Sequence, residues 1–193
     1  MSSYSIREES GIYFLTSTII GWVDIFSRKM YRDIVIESLK YCIDHKSLRL
    51  HAYVIMTNHM HWICSSKDGT LLNDIVRDFK KFTSKSINEA IINNNNESRK
   101  EWMLNLFSYA GRHHSDNKNY KLWQTGNHPE YIYSAEFIEQ KLRYIDLNPV
   151  RAGIVEQPEQ YIYSSARDYM GTKGIIEIEP LILFQHNNTG YGL

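Results

Sequence analysis

Two histidines separated by a single residue, His59 and His61, are the side chains whose spacing points most directly to metal chemistry. They belong to the run HMHWIC at 59–64, whose aromatic and β-branched residues predict a β-strand. Successive side chains of a strand point to opposite faces, so both imidazoles lie on one face and could share one ion, while Met60 and Trp62 point into the core. Chance pairs are common in a chain with 8 His, and the spacing alone is more typical of two satisfied or exposed surface histidines than of a metal site.

A tyrosine and an asparagine near the end of the last long helix form a second candidate pair. Ser134 is a suitable N-cap for a helix that extends to about Leu147, and we expect Pro149 to stop it. Tyr144 and Asn148 are four residues apart and therefore lie on one stripe of the helix. This stripe is offset from the apolar side of the helix, so we expect Tyr144 at the edge of the core with its hydroxyl free. When the helix is considered in isolation, a boundary tyrosine and a helix-ending asparagine before proline are the better interpretation. The apolar side of this helix is formed by Phe137, Ile138, Leu142 and Ile145.

The two candidate pairs lie in segments that together resemble one protein family. HAYVIMTNHMHWIC at 51–64 and EFIEQKLRYIDLNPVRAGIV at 136–155 are similar to the single-tyrosine HUH transposases, most of all to their REP-associated tyrosine transposase branch. The shared signatures are V-x-M-x-N-H-x-H on the strand and Y-I-x-x-N-P-V-R-A-G at the end of the helix. Their order and separation match, and the resemblance covers most of residues 11–155.

The resemblance implies a role for each of four residues. His59 and His61 would hold a divalent ion, and Tyr144 would be the nucleophile. Asn148, where many relatives have glutamine, would complete the metal site, as in the REP-associated branch. Two imidazoles and one amide suit Mg²⁺ or Mn²⁺, of which Mn²⁺ tolerates imidazole better.

The chemistry that the resemblance implies is strand transfer on single-stranded DNA that carries a REP-like hairpin. A tyrosine hydroxyl has an ordinary pKa of about 10 and is a weak nucleophile at neutral pH, so an ion on the phosphate would have to stabilise the developing charge. Attack by Tyr144 would leave a 5′-phosphotyrosine and a free 3′-OH. Because the bond energy is kept, a 3′-OH can reverse the step. Family members occur as monomers and as homodimers, and the sequence is compatible with both.

Basic residues near these motifs are candidates for contact with DNA phosphates. Lys80, Lys81 and Lys85 lie on the polar side of a helix predicted at 71–92, where a solvated helix face is an equally good interpretation. Arg151 follows the candidate nucleophile within the NPVRAG segment and is expected either to bind DNA or to fix the tail. Weaker candidates lie in the polar loop that follows residue 110, namely Arg112, His113 and His114.

The elements that must position these residues follow a strand, helix, strand, strand, helix, strand, helix order. This order predicts an α+β fold, a ferredoxin-like split β-α-β sandwich with an antiparallel sheet and helices on one face. We expect a catalytic domain at 1–155 and a C-terminal extension at 156–193 that packs on the same domain. The predicted strands are 11–20, 48–56 and 59–64 with short pieces at 122–123 and 131–133, and the predicted helices are 30–45 with Ser27 as N-cap, 71–92, 101–109, 134–147 and 164–170.

Composition narrows the class of protein. A chain of 193 residues fits one domain, and a net charge of zero argues against a protein that coats duplex DNA through bulk electrostatics. Cys42 and Cys64 form no CxxC pattern, so a disulfide framework or thiolate zinc site is not expected. The sequence contains no run that could span a membrane, and we expect a cytoplasmic, bacterial, nucleoid-associated protein.

Three functions remain open at the level of sequence. The first is a transposase that cuts and rejoins single-stranded DNA. The second is a domesticated protein that binds DNA hairpins without cutting them. The third is an unrelated metal hydrolase that uses the histidine pair, although no further acidic or histidine ligand has a clear spacing to it.

Overall fold

A four-stranded antiparallel sheet forms the centre of the protein, in a computed structural model that describes residues 6, 11–67, 69–112 and 120–181. The strand order is β2-β3-β1-β4, in which β3 is inserted between the two strands that the first helix connects. This topology confirms the predicted α+β, ferredoxin-like fold. The strands are β1 (Tyr13–Thr18), β2 (Leu48–Ile55), β3 (His59–Ser66) and β4 (Glu130–Tyr131).

Helices cover both faces of the sheet. The described α-helices are α1 (Lys29–His45), α2 (Leu72–Asn93), α3 (Lys100–Arg112), α4 (Ala135–Arg151) and α5 (Ala166–Tyr169). α1 and α2 pack together on one face, where the rings of Trp62 and Phe79 lie 5.4 Å apart. α4 lies on the other face. The expectation that the helices lie on one face of the sheet therefore holds for α1 and α2. It does not hold for α4, which carries Tyr144 and packs on the opposite face.

The β2–β3 hairpin fixes which residues face α4. Its turn at Thr57 and Asn58, which the sequence predicts, is closed by a 2.8 Å hydrogen bond from the Met56 amide to the His59 carbonyl. Across the sheet His61 pairs with Thr16 of β1, and His59 pairs with Thr18. Directly paired residues point to one face, so the two histidines and two threonines share the face that α4 covers.

α4 begins as predicted and ends later than predicted. The Ser134 hydroxyl accepts the Phe137 amide at 3.2 Å, which confirms the N-cap. The expectation that Pro149 stops the helix is wrong, because α4 continues to Arg151. Proline here removes only the donor to the residue-145 carbonyl, and the chain beyond it still donates from Ala152 to the Asn148 carbonyl at 3.0 Å. Ser27 is not the N-cap of α1 either, since that position is taken by Arg28.

The C-terminal segment lies along the outer edge of β2. The Ser165 amide donates to the Tyr53 carbonyl, and the Glu179 amide donates to the Leu50 carbonyl, at 2.9 and 2.8 Å. These bonds satisfy backbone groups that an exposed edge strand would leave open. None of the described helices is both long and apolar enough to cross a lipid bilayer.

Candidate active site

The histidine pair and the candidate nucleophile meet between β3 and α4. The rings of His59 and His61 have centroids 4.7 Å apart, and the Tyr144 ring lies 5.0 Å from that of His61. The Tyr144 hydroxyl is 3.3 Å from His61 Nε2. The structure therefore brings together three of the four residues to which the sequence assigns chemistry, although the strand and the helix are more than 80 residues apart in the chain.

Each histidine uses Nδ1 for a neighbouring side chain, and His61 turns Nε2 towards Tyr144. His61 Nδ1 lies 2.9 Å from Thr16 Oγ1, and His59 Nδ1 lies 2.6 Å from Asn58 Oδ1. Neutral rings protonated on Nδ1 satisfy these contacts, since Nδ1 then donates and Nε2 keeps its lone pair. Metal-binding histidines are commonly oriented in this way by a partner on the second nitrogen.

The surroundings of the pair favour the neutral imidazoles. Burial, helped by the nearby His59 and Lys141, lowers the pKa of His61 to about 3. Burial also lowers the pKa of His59. Both rings are consequently uncharged near neutral pH and can donate a lone pair to a cation without first losing a proton.

An aromatic wall holds His61 and Tyr144 in place. Phe14 stacks on His61 with a centroid distance of 5.4 Å and meets the Tyr144 ring edge-on at 5.9 Å. The Lys141 ammonium lies 4.3 Å from the centre of the Phe14 ring and contacts both Glu130 carboxylate oxygens at 2.8 Å. β1, β4 and α4 are thus tied together directly beside the candidate nucleophile.

Tyr144 is accessible but not free. Its side chain is 38% exposed, so a substrate can reach the hydroxyl, yet that hydroxyl is within hydrogen-bond distance of His61. The expectation of a free hydroxyl was therefore wrong. Helical position predicts how far a residue lies from its own helix's core side, but not which strand residue the helix packs against.

Asn148 remains on the stripe that Tyr144 begins. Because α4 continues through Pro149, the four-residue spacing keeps its helical geometry. The neighbouring Asp146 is buried on this helix, and burial raises the pKa of its carboxyl to about 7. In the part of the chain that the structure describes, no cluster of three or more His, Cys, Asp or Glu could hold a metal ion. Any ion at the histidine pair would thus need the Asn148 amide or ligands from substrate and water, and two neutral imidazoles on one face of β3 fit such a mixed site.

A basic cavity lies on the far side of β1 from the pair. It has a volume of about 470 Å³ and opens between α2 and residues 121–127. Its wall is hydrogen-bonded to β1, from the Gln124 amide to the Thr18 carbonyl and from the Thr16 amide to the Asn127 carbonyl. The described lining includes the basic residues Arg77, Lys80, Lys81 and Lys121.

The sequence-predicted cations occupy three different settings. Lys80 points into the cavity and donates to the Gly126 carbonyl at 2.8 Å, and burial, with Lys121 nearby, lowers its pKa to about 8. Lys81 is an exposed lining residue of the cavity. Lys85 is exposed one turn further along α2, 3.9 Å from Glu89. Arg151 is exposed in the last turn of α4, on the other face of the sheet.

Several residues of the site were missed by reasoning from the sequence. Thr16, Lys121 and Trp22 lie near the histidine pair or the cavity through pairings between distant segments, whereas Asn58 contacts His59, its neighbour in the chain. The alternation of side chains along β1 predicts that Thr16 and Thr18 lie on one face of the sheet. It does not predict that Thr16 lies opposite His61. Of the weaker candidates for DNA contact, Arg112 ends α3, and His113 and His114 lie outside the described residues.

Comparison with known proteins identifies the family. No curated protein sequence matches the chain. A solved structure described as the REP-associated tyrosine transposase bound to a REP hairpin superposes with a TM-score of 0.60, covers 98% of this chain and 100% of its own, and is 18% identical. At that identity the match shows a shared fold. The family model for IS200-like transposases matches residues 22–140, which is more than half of the chain and includes the histidine pair but ends before Tyr144. The chain belongs to the IS200-like transposase family.

Proposed function

We propose that this transposase nicks and rejoins single-stranded DNA through a covalent tyrosine intermediate on hairpin-bearing substrates. The observation that carries the proposal is the 3.3 Å separation between the Tyr144 hydroxyl and His61 Nε2, with His59 beside them. A tyrosine hydroxyl this close to a pair of uncharged imidazoles is near enough to attack a phosphate held by an ion on those imidazoles.

Tyr144 is the nucleophile in this proposal. Its Oη–P bond forms as the P–O3′ bond of the DNA breaks, the phenol proton is released, and the departing O3′ takes up a proton. The products are a 5′-phosphotyrosine and a strand with a free 3′-OH. Since one phosphodiester is exchanged for another, a 3′-OH can attack the phosphotyrosine and restore continuous DNA.

His59, His61 and Asn148 would hold the divalent ion, Mg²⁺ or Mn²⁺. When bound there, the ion would act as a Lewis acid and neutralise charge on the attacked phosphate. The chain's own contribution is orientation, because Thr16 and Asn58 fix the two rings and Phe14 supports His61.

The cavity offers a path for the DNA backbone. It is bounded by α2, on the face of the sheet opposite α4, and by the 121–127 segment that follows β1, so DNA that contacts it would reach the histidine pair round that segment. Lys81 and Lys121 at its rim suit phosphate contacts, while Lys80 anchors the rim itself through the Gly126 carbonyl. The structural relative was solved with a REP hairpin, which supports a hairpin as the bound form of DNA.

The test is the Tyr144→Phe variant on a hairpin-bearing single-stranded oligonucleotide with Mn²⁺, analysed on a denaturing gel. The wild type is expected to give a covalent protein–DNA adduct, and the variant none, with hairpin binding unchanged. Tyr133→Phe, an exposed tyrosine just before α4, is the matched control and should retain the adduct.

Each other result selects a different function. Equal cleavage by Tyr144→Phe would remove Tyr144 as nucleophile. Hairpin binding by the wild type without cleavage would favour a domesticated binding protein. Cleavage that yields no covalent adduct at any time would favour a metal hydrolase.

A further inference from the structure

An exposed tryptophan, Trp22, lies beside His59, on the side away from His61 and Tyr144. We propose that its indole stacks on the base of the nucleotide that departs with the free 3′-OH and holds that nucleotide for rejoining. The inference rests on the proposed function, because it assigns a binding partner to the strand released by Tyr144.

The position of Trp22 follows from the register of the sheet. Its ring meets the His59 ring edge-on, with centroids 6.5 Å apart. Tyr144 lies at the opposite end, against Phe14, which pairs with Ile63 on the other side of His61. The order along the face is therefore Tyr144, His61, His59 and Trp22.

The indole is presented to solvent by an unusual backbone. The Trp22 side chain is 62% exposed, although tryptophan is among the residues that gain most from burial. Its φ is 55°, in the left-handed region that non-glycine residues rarely adopt. The Asn58 amide donates to the Trp22 carbonyl at 3.4 Å, so the residue that orients His59 also holds this turn. Strained backbone that the surroundings maintain beside a reactive centre is a recognised feature of functional sites.

The geometry of phosphoryl transfer decides which nucleotide meets Trp22. The attacking and departing oxygens lie roughly in line on opposite sides of the phosphorus. With the scissile phosphate held over the histidine pair, as the proposed function requires, Tyr144 attacks from the His61 end and O3′ departs towards His59 and Trp22. The nucleotide on that side is the one immediately 5′ of the cut bond.

A stacked base is the ligand that this surface suits. Aromatic side chains bind single-stranded DNA by stacking, and every base offers a π-face, so the contact tolerates sequence. A base stacked on Trp22 would keep the released 3′-OH near the phosphotyrosine and raise its effective concentration for the reverse step. Trp22 is then a positioning residue for rejoining.

The test is an abasic scan in the Tyr144→Phe background, which keeps the DNA intact. Abasic sites are placed one at a time along the single-stranded flank of a hairpin oligonucleotide, and affinity is measured by fluorescence anisotropy. We expect one abasic position, just 5′ of the bond that the wild type cuts, to weaken binding about tenfold. With Trp22→Asn added, which tolerates a positive φ but cannot stack, intact DNA should bind about tenfold more weakly and that abasic site should have no further effect.

Two further variants separate stacking from structure. Trp22→Tyr keeps an aromatic face and should restore sensitivity to the abasic site. Trp102→Asn removes the 54%-exposed tryptophan of α3 and should leave the sensitivity unchanged. If Trp22→Asn weakens intact and abasic DNA equally, or the sensitive position lies 3′ of the cut, the inference is overturned. The absence of a covalent adduct from the wild type would instead overturn the proposed function, whereas a single abasic position whose effect depends on Trp22 would still show stacking, because affinity is measured on uncleaved DNA.

Discussion

Thr16 is the side chain that orients His61 from the neighbouring strand. Its Oγ1 lies 2.9 Å from His61 Nδ1, which leaves Nε2 directed at Tyr144. Loss of such a partner typically lowers metal affinity or activity by about 10- to 100-fold. We therefore expect Thr16→Val to weaken Mn²⁺ binding, measured by calorimetry, and to slow adduct formation by a factor in that range, with the fold retained because valine has nearly the same shape.

The control for this prediction is Thr18→Val. Thr18 lies two residues along the same face, opposite His59, and the same loss of a hydroxyl there should change Mn²⁺ affinity much less. A similar loss in both variants would mean that Thr16 acts through packing and not through the hydrogen bond to His61.

At this scale the sequence predicted residue types and faces, but not partners. The one-residue spacing put His59 and His61 on one side of β3 because strand side chains alternate. The contact of Tyr144 with His61 depends on how α4 crosses the sheet, and that crossing is set by side chains such as Phe14 in a distant strand. Pairings of this kind cannot be obtained from the local pattern of one segment.

Elements with long apolar patterns were predicted well, and irregular ones were not. β2 and α2 agree with their patterns to within one residue at each end, since eight strand residues or six helical turns leave little freedom in where the element begins. β4 is only two residues long. The predicted strand piece at 122–123 forms a single bridge, from Trp123 to Ile19, because residues 122–127 follow β1 through separate hydrogen bonds and not through a continuous ladder. The end of α4 was misjudged because a proline in the last helical turn leaves only one carbonyl without its donor.

The β2 strand is linked to the C-terminal segment by a buried histidine. His51 lies at an irregularity between Leu50 and Ala52. Its Nδ1 donates to the Glu179 carbonyl at 2.8 Å, and its Nε2 accepts from the Ser65 hydroxyl at 2.9 Å. The neutral ring satisfies both contacts, and burial lowers the pKa of His51 below its usual value.

This burial makes the link sensitive to acid. A histidine whose pKa is lower in the folded than in the unfolded chain contributes stability above the unfolded pKa of about 6.5, and that contribution decreases as the pH falls below it. We expect His51→Gln to lower the free energy of unfolding by about 1–2 kcal/mol near pH 7.5, through loss of buried hydrogen bonds, and by less near pH 5. Urea denaturation of the wild type and of His51→Gln at the two pH values measures this change in the free energy of unfolding. The buried His59 and His61 are present in both proteins, so their own pH dependence cancels in the comparison.

The exposed His45 provides the comparison for His51. His45→Gln at the end of α1 should leave the free energy of unfolding nearly unchanged at both pH values. A gap between wild type and His51→Gln that stays constant or widens in acid would contradict the assignment of a neutral, buried His51.

Over the whole molecule, the C-terminal segment is part of the same packed unit as the sheet. It follows β2 from Tyr163 to Glu179, and the Tyr161 hydroxyl donates to the Ile55 carbonyl at 2.6 Å. The Tyr163 hydroxyl reaches Asp33 of α1 at 2.8 Å. A division at residue 155 into a catalytic domain and an extension remains a prediction, and these contacts indicate that removing the extension would expose the edge of β2.

Charge is balanced over the whole chain but not over its surface. Lys and Arg number 22, as do Asp and Glu, so DNA cannot be attracted by net charge. The cavity between α2 and residues 121–127 instead concentrates several cations in one place. Binding should consequently depend on a few local phosphate contacts, each of which releases counterions from the DNA.

Lys81 is the cavity residue best suited to test this local view, because it is exposed and lies at the rim, whereas Lys80 anchors the wall. On single-stranded DNA each neutralised phosphate contributes about 0.7 to the slope of log affinity against log salt. We expect Lys81→Ala to reduce the magnitude of that slope by about 0.7 and to weaken binding similarly for different flanking sequences. Lys40→Ala on α1, which packs over β2 at the other end of the sheet and where Lys40 pairs with Glu37, should leave the slope unchanged. If both variants change it equally, the DNA is attracted by the general surface and not by the cavity.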